Sequence, residues 1–553
     1  MSKPETVSSI TLPAPTGGLD FYNPLAAMSQ SNTPWMVNVD ADNRLVTVRN
    51  GYTIFATITY APDFPSIKGM VSYGTGTNEV LYVYTSITGG RRIYKIDQAG
   101  TVTPEFSDVV TAGNVVAYKF ASNLAFPQDN ALGVGIDTLF FNQAVGTWAA
   151  WTLRYNGFVF PVAGISIFYK GRLYGRTDYS NLQAIAYGDV GQIQGAVPIA
   201  NLFSVGTLFY FSGKIAYLGT FVVSNEAQTK EYFAAGNDAG EILIYSGDSP
   251  AADNWNLEAR VKTAAPIVSN SGIGASTLQY ENDCLVFTYA GIVSLRNLYL
   301  NQDKAKEEGN SYFSLPINNF WIKLVADIPF VSYSTQHEYI TAAFAEKDRR
   351  LYFMIPRALD INGAVIAEAY TIFIYSLDGG SWSMHQVSDK IFGDGQSGNI
   401  TYFNGGIYFW SSNKIMKLDP TKWLDQDCFT IGNPYYGYDF AIHGAPTTFD
   451  DSVATKVVQG YEPLIRQQTS VASPLRCGFG LKVSTDFGRK ESGASSPAQT
   501  TEFAKRMYSV GAEGTFFQYK LEGNTATTSG TTTTSLGLDL FAINAFYKKG
   551  GVL

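Results

Sequence analysis

Charge is scarce in this 553-residue chain, with Asp, Glu, Lys and Arg making up 16% of it against about 25% in an average soluble domain. Its 47 acidic and 39 basic residues give a net charge of −8 and are interspersed, with no block of one sign. That pattern argues against the basic footprint of a sequence-specific DNA-binding protein. Cysteine is nearly absent. Cys284, Cys428 and Cys477 are odd in number and far apart, which fits neither a disulfide framework nor a paired metal knuckle. They are expected to be buried thiols of a protein made in a reducing cytoplasm. The three histidines, His337, His385 and His443, contain no pair at the i, i+4 spacing of a zinc-binding helix. No metal, no cofactor and no histidine-centred catalysis are therefore expected. No apolar run reaches the length of about 18 residues that a membrane-spanning helix needs, and the first twenty residues lack the apolar core of a secretory signal. Neither a membrane anchor nor export by its own signal is expected.

Aromatic residues and glycine are abundant instead: 35 Tyr, 36 Phe and 53 Gly. Aromatic side chains pack well on pleated surfaces and glycine supplies tight turns, so the composition predicts an all-β fold. At 553 residues the chain exceeds what one core usually supports.

A short ending repeats along it. RIYKIDQ (92–98), LIYSGDS (243–249), FIYSLDG (373–379) and KIMKLDP (414–420) share the form Ile, then Tyr or Met, then Ser or Lys, any residue, Asp. Ile374 and Ile415 lie 41 residues apart, and the earlier gaps of 151 and 130 residues are about three such periods each. A period of about 40–50 residues is that of four-stranded propeller blades. Weaker copies at KGRLYGRTD (170–178) and DCLVFTYAGIVSLRN (283–297) bring the expected count to about seven blades. The expected organisation is an arm and β-hairpin over 1–65, a β-propeller over 66–425 and a C-terminal β domain over 426–553. The arm and the C-terminal segment together would build the additional mixed β domain. Each repeated aspartate is read as a strand end that accepts backbone hydrogen bonds in the following turn. The threonine-rich stretch NTATTSGTTTTSLG (524–537) is read as a solvated excursion.

Other motifs yield structural readings. GDGQSG (393–398) has the letters of a dinucleotide-binding loop, but a strand-like NITYFNGGIYFW follows where a helix must begin. SLDGGSW (376–382) resembles the turn known as an Asp box in sialidase-type propellers, where it is structural. VDADNR (39–44) starts like a calcium loop, yet Arg44 and Leu45 stand where an oxygen ligand and a glycine belong. NQDKAKEEGN (301–310) reads as a charged surface helix. Glycoside cleavage needs two carboxylates about 5–10 Å apart, and no sequence motif marks such a pair. The chain is expected not to be an enzyme.

The segment PTGGLDFYNPLAAMSQSNTPWMVNVDADNRLVTVRNGY resembles the opening of the tail nozzle, or tail tubular, proteins of short-tailed bacteriophages. The matching positions are Gly17, Gly18, Asn23, Pro24, Leu25, Asn38, Val48, Arg49, Gly51 and Tyr52. Asp42, Asn43 and Arg44 replace the proline-glycine-glycine turn often found there. The end of the chain, from FFQYKLEG to LDLFAINAFYKKGG, is similar to that family's closing strands. The resemblance implies a homo-hexameric structural protein of the virion tail, assembled in the host cytoplasm. It would dock on the tail adaptor below the portal, possess contacts to tail fibres or spikes, and pass genomic DNA without sequence-specific binding. Six copies would carry about −48, and an acidic channel repels phosphates, so DNA slides rather than sticks. Trp35 is the expected anchor of the docking arm, with Arg49 holding the hairpin through a carboxylate or carbonyls and Tyr52 by packing. The alternative reading is a carbohydrate-binding or glycan-cleaving propeller.

Overall fold

The computed structural model describes residues 7–549 apart from 43–44, 60–64, 110–117, 121–122, 127–138, 143–145, 151–152, 157, 161–164, 177–183, 193, 206–207, 209–212, 225–227, 269–276, 302–311, 327–339, 367–368, 393–396, 431, 450–451, 453, 470–478, 487–489, 497–502, 505–507 and 530–531. His337, Cys477 and all but the first residue of the charged run 301–310 lie outside the described residues, as do residues 393–396 of the glycine-rich motif. Strand Ser397–Phe403 follows that motif, as its sequence predicts.

The fold is all-β. Chain contacts divide it into two compact units, unit 1 of residues 1–54, 345–393 and 416–553 and unit 2 of residues 55–344 and 394–415. These boundaries differ from the three consecutive segments read from the sequence. Residues 345–393 belong with both termini because Ser381–Ser388 pairs with Val39–Asp42, Met384 opposite Val39.

Unit 2 is built from consecutive antiparallel meanders, the blade form of a β-propeller. Strands Ser66–Tyr73, Val80–Ile87, Gly90–Ile96 and Val102–Asp108 make one sheet. Ile215–Ser224, Thr229–Asn237, Glu241–Ser246 and Asn256–Lys262 make another. Further four-stranded sheets cover 118–150 and 166–204, and a three-stranded sheet covers 277–294. The inner strand Glu241–Ser246 is wholly buried, whereas the last strand of that meander largely faces solvent. This gradient explains why the outer strands carry the polar residues. Early and late segments share one core: Ala56 and Ile58 pack with Phe403, Tyr408, Trp410 and Ile415.

The repeated endings occupy one kind of position. Gly90–Ile96, Glu241–Ser246, Ala369–Ser376 and Lys414–Asp419 are all inner strands with a paired neighbour on each side. The aspartates that follow or end them use different partners. Asp97 accepts from the amides of Ala99 and Thr101 at 2.9 and 2.8 Å, and Asp419 from the Thr421 amide at 2.9 Å. Asp248 accepts from the Asn254 side chain, and Asp378 from Arg349 at 2.8 Å. Turn amides are thus partners of Asp97 and Asp419, while side-chain donors reach Asp248 and Asp378.

Unit 1 contains parallel and antiparallel pairs. Val39–Asp42 and Leu45–Val48 form a hairpin whose second strand pairs with the 18-residue strand Thr532–Lys549. That strand runs beside Lys456–Thr469 and also carries Ser8–Pro13. Gly18 pairs in parallel with Trp382. VDADNR thus lies on a hairpin strand, with its last two residues outside the described set. Residues 526–529 and 532–535, read above as a solvated loop, pair as a hairpin instead. Threonine is β-branched and favours extended backbone, and that preference outweighs the low complexity of the stretch.

Candidate functional site

The residues that carry the amino-terminal resemblance converge in unit 1. Asn38 ends strand Trp35–Val37 with φ of 57°, a left-handed conformation that asparagine tolerates better than most residues. Both ends of its side chain are engaged: Oδ1 accepts from Arg49 Nε and the Gln386 amide, both at 2.9 Å, and Nδ2 donates to the Asp439 carbonyl at 2.7 Å. Arg49 follows strand Leu45–Val48 and is completely buried. It forms a two-pronged ion pair with Asp425, at 2.9 and 2.7 Å, and donates to the Asn50 carbonyl at 2.8 Å. The Tyr438 ring lies 3.6 Å from the guanidinium carbon and the Tyr52 ring 4.9 Å. Burial opposes the charge on Arg49, but Asp425 outweighs it and raises the pKa further above its ordinary value.

A second chain of contacts leads away from Tyr52. Its amide donates to Asp425 at 2.8 Å, and its hydroxyl lies 3.0 Å from His385 Nδ1. His385 Nε2 is 2.9 Å from Asp40, whose carboxylate also lies 3.7 Å from Arg350. Burial pushes the imidazole down, and Asp40 restores it only in part. A neutral ring fits both contacts, with Nδ1 accepting from Tyr52 and Nε2 donating to Asp40. Burial pushes the Asp40 carboxyl up, yet His385 and then Arg350 overcome this and hold it at about 2.

This arrangement can fix geometry. A nucleophile or general base needs access to substrate and a pKa shifted toward working pH. Tyr52 and His385 have no solvent exposure, and burial drives the Tyr52 phenol well above its ordinary range. Two glycines complete the cluster. A Cβ on Gly18 would sit 2.3 Å from the Trp382 carbonyl oxygen, and one on Gly51 2.0 Å from that of Leu424.

Of the expected assembly residues, Arg49 is paired with Asp425 and Tyr52 contacts His385. Trp35 pairs opposite His443, packs edge-on against Phe21 at 6.4 Å and is 7% exposed. All three side chains are buried within unit 1. The longest exposed run of the resembling segment is 22–27, where Asp20 accepts from the amides of Tyr22 and Asn23 and fixes the loop. The sequence reading missed Asp425, His385 and Asp40 as members of the cluster. The carboxylate predicted for Arg49 was the available signal, but its partner lies 376 positions away.

Beside the cluster opens a cavity of about 400 Å³ in unit 1, walled in part by Asn38, Gln386, Asp425, Tyr436, Tyr438 and Asp439. His443 lies elsewhere, 3.2 Å from Glu522, which also binds Lys482 at 2.8 Å. Cys284 and Cys428 are buried thiols. Among the described residues no group of three or more His, Cys, Asp or Glu could hold a metal, and no helix is long and apolar enough to cross a membrane.

No family model matches the chain, and no curated protein matches it. Solved structures do. Raptor from Chaetomium thermophilum aligns with a TM-score of 0.36 at 12% identity over 68% of this chain and 30% of that one, so this chain spans less than two thirds of its length. BamB from Moraxella catarrhalis aligns with a TM-score of 0.31 at 10% identity over 75% of this chain and 96% of that one. A glycoside hydrolase family 43 arabinoxylan arabinofuranohydrolase from Bacillus subtilis, in complex with cellotetraose, gives 0.22 at 10% identity over 90% and 99%. All three scores lie below 0.5, and the fold class is read from the strand order itself.

Proposed function

We propose that this chain is a structural subunit of the tail nozzle of a short-tailed bacteriophage, with about seven blades in its propeller and six copies in a ring. The ring would extend the DNA channel below the portal and adaptor, retain the genome and then release it, without catalysis. One observation carries the reading. Gly18, Asn38, Arg49, Gly51 and Tyr52, spaced as in the nozzle family, each occupy a position that requires that residue type: close backbone approach for the glycines, a left-handed turn for Asn38, a buried two-pronged ion pair for Arg49 and a buried hydroxyl contact for Tyr52. These five positions of the resemblance are buried determinants of unit 1, while Asn23, Pro24 and Leu25 fall on its exposed loop.

The acidic net charge supports passage of DNA without retention. Adaptor docking would use surface outside Trp35, Arg49 and Tyr52, and the exposed loop 22–27 is the part of the arm available for it. The purified chain, at 60.3 kDa, is tested by native mass spectrometry alone and with adaptor-bearing particles. A six-copy species supports the proposal. A chain that stays monomeric under both conditions and cleaves glycans overturns it in favour of the propeller glycosidase.

A further inference from the structure

We infer that the cavity beside Asp439 is a binding site for a neutral saccharide of one or two rings. The inference goes beyond the nozzle reading and does not depend on it. The volume of about 400 Å³ falls within the range of about 300–1,000 Å³ typical of small-ligand sites. The chemistry of the wall selects the ligand. Asp425, the buried carboxylate, is neutralised by Arg49, and the Arg49 guanidinium is itself committed to Asp425, Asn38 and Asn50. The wall therefore presents no free charge pair for an ionic ligand.

Uncommitted hydrogen-bonding atoms remain. Asp439 accepts from Asn524 through Oδ1 at 2.8 Å, leaving Oδ2 without a partner among the described residues. Gln386 donates its Nε2 to the Leu359 carbonyl at 2.6 Å and its backbone amide to Asn38, leaving Oε1 without one. The Tyr436 hydroxyl lies below the surface beside Ser388. The two acceptors match the vicinal hydroxyl donors of a sugar ring. Val37, Val387 and Ala369 add apolar wall, which suits the C–H faces of the same ring. A phosphate or carboxylate ligand would meet the Asp439 carboxylate with no cation among the described lining residues, Lys390 lying outside the wall at 5.1 Å from the Tyr436 ring.

The test is saturation-transfer NMR followed by calorimetry on the full chain. The probes are glucose, galactose, N-acetylglucosamine, lactose and cellobiose, with glucuronate and inorganic phosphate as anionic controls. At least one neutral sugar should bind, and the anions should not. Asp439→Asn keeps an acceptor for Asn524 and removes the charge, and should weaken binding at least about tenfold, by analogy with the loss of one charge-assisted hydrogen bond. Ala369→Phe should abolish binding by filling the cavity. Should that variant fail to fold, the exposed Asp439→Asn decides alone, its thermal midpoint matching the parent. Binding of no neutral sugar at 20 mM probe, binding unaltered in Asp439→Asn, or preference for the anions would overturn the inference. Six-copy assembly is measured separately by mass and is unaffected by either variant, so failure here leaves the nozzle reading standing.

Discussion

Removing either member of the Arg49–Asp425 pair tests the argument that the resembling segment clasps unit 1 together. The two side chains are 0% and 1% exposed, so Arg49→Met strands a buried carboxylate that, among the described residues, retains the Tyr52 amide as its one donor. Four hydrogen bonds of the guanidinium disappear at once, to Asn38, Asn50 and both Asp425 oxygens. Breaking a buried pair from one side costs about 3–5 kcal/mol, whereas replacing both partners with apolar residues is often far less damaging. Arg49→Met and Asp425→Leu should therefore each lose about 3–5 kcal/mol, and the double variant should lose less than their sum by at least about 1 kcal/mol. Because two units need not unfold together, the readout is urea-dependent hydrogen exchange of the amides in Val39–Asp42 and Ser381–Ser388, both in unit 1. Single losses below about 1 kcal/mol that add without coupling would refute the reasoning, since they would describe a solvated pair.

Acid should weaken unit 1 in two stages. Burial lowers the His385 pKa below its ordinary 6.5, so the unfolded chain binds the proton first, and stability that is complete above pH 6.5 falls as pH drops below it. Asp40, held at about 2 against 3.8, adds stability above pH 3.8 that is lost on approach to pH 2. Thermal midpoints from pH 8 to 3 should show both losses, and His385→Gln should reduce the first, leaving the share of His443, whose pKa burial also lowers. Gly51→Ala, whose Cβ would meet the Leu424 backbone, should cost about 1–3 kcal/mol by overpacking, read as a lowered urea midpoint. Tyr245→Ala, which empties a site in the unit 2 core, should cost about 3–5 kcal/mol and leave exchange in unit 1 unchanged. Deleting residues 1–35 exposes the partners of Leu12, Leu19, Met28 and Trp35 and should destabilise unit 1, visible as faster exchange along Thr532–Lys549, in addition to any loss of docking.

The blade pattern was legible because it is local. An apolar inner strand, a turn and an aspartate lie within seven residues, so the four endings mark equivalent inner strands without knowledge of the rest. The partner of each aspartate was not legible, since Arg349 and Asn254 reach Asp378 and Asp248 from outside the motif. The clasp was half legible. Arg49 announced a need for a carboxylate, but Asp425 and the Asp40–His385 contact are brought together by strand pairing across more than 300 positions. Residues 345–393 were assigned to the propeller because FIYSLDG carries the repeat, while the contact that places them with the termini depends on Met384 meeting Val39. The threonine-rich stretch shows the opposite error, where composition suggested a solvated loop and β-propensity with a nearby partner strand produced a hairpin.

The central claim is that this chain completes the tail of a short-tailed phage particle, and the most direct measurement is electron microscopy of nozzle-deficient particles incubated with the purified chain. The account predicts a six-fold ring added below the adaptor, on particles that then retain their DNA. Particles left unchanged, with the chain remaining free as monomers, would contradict it.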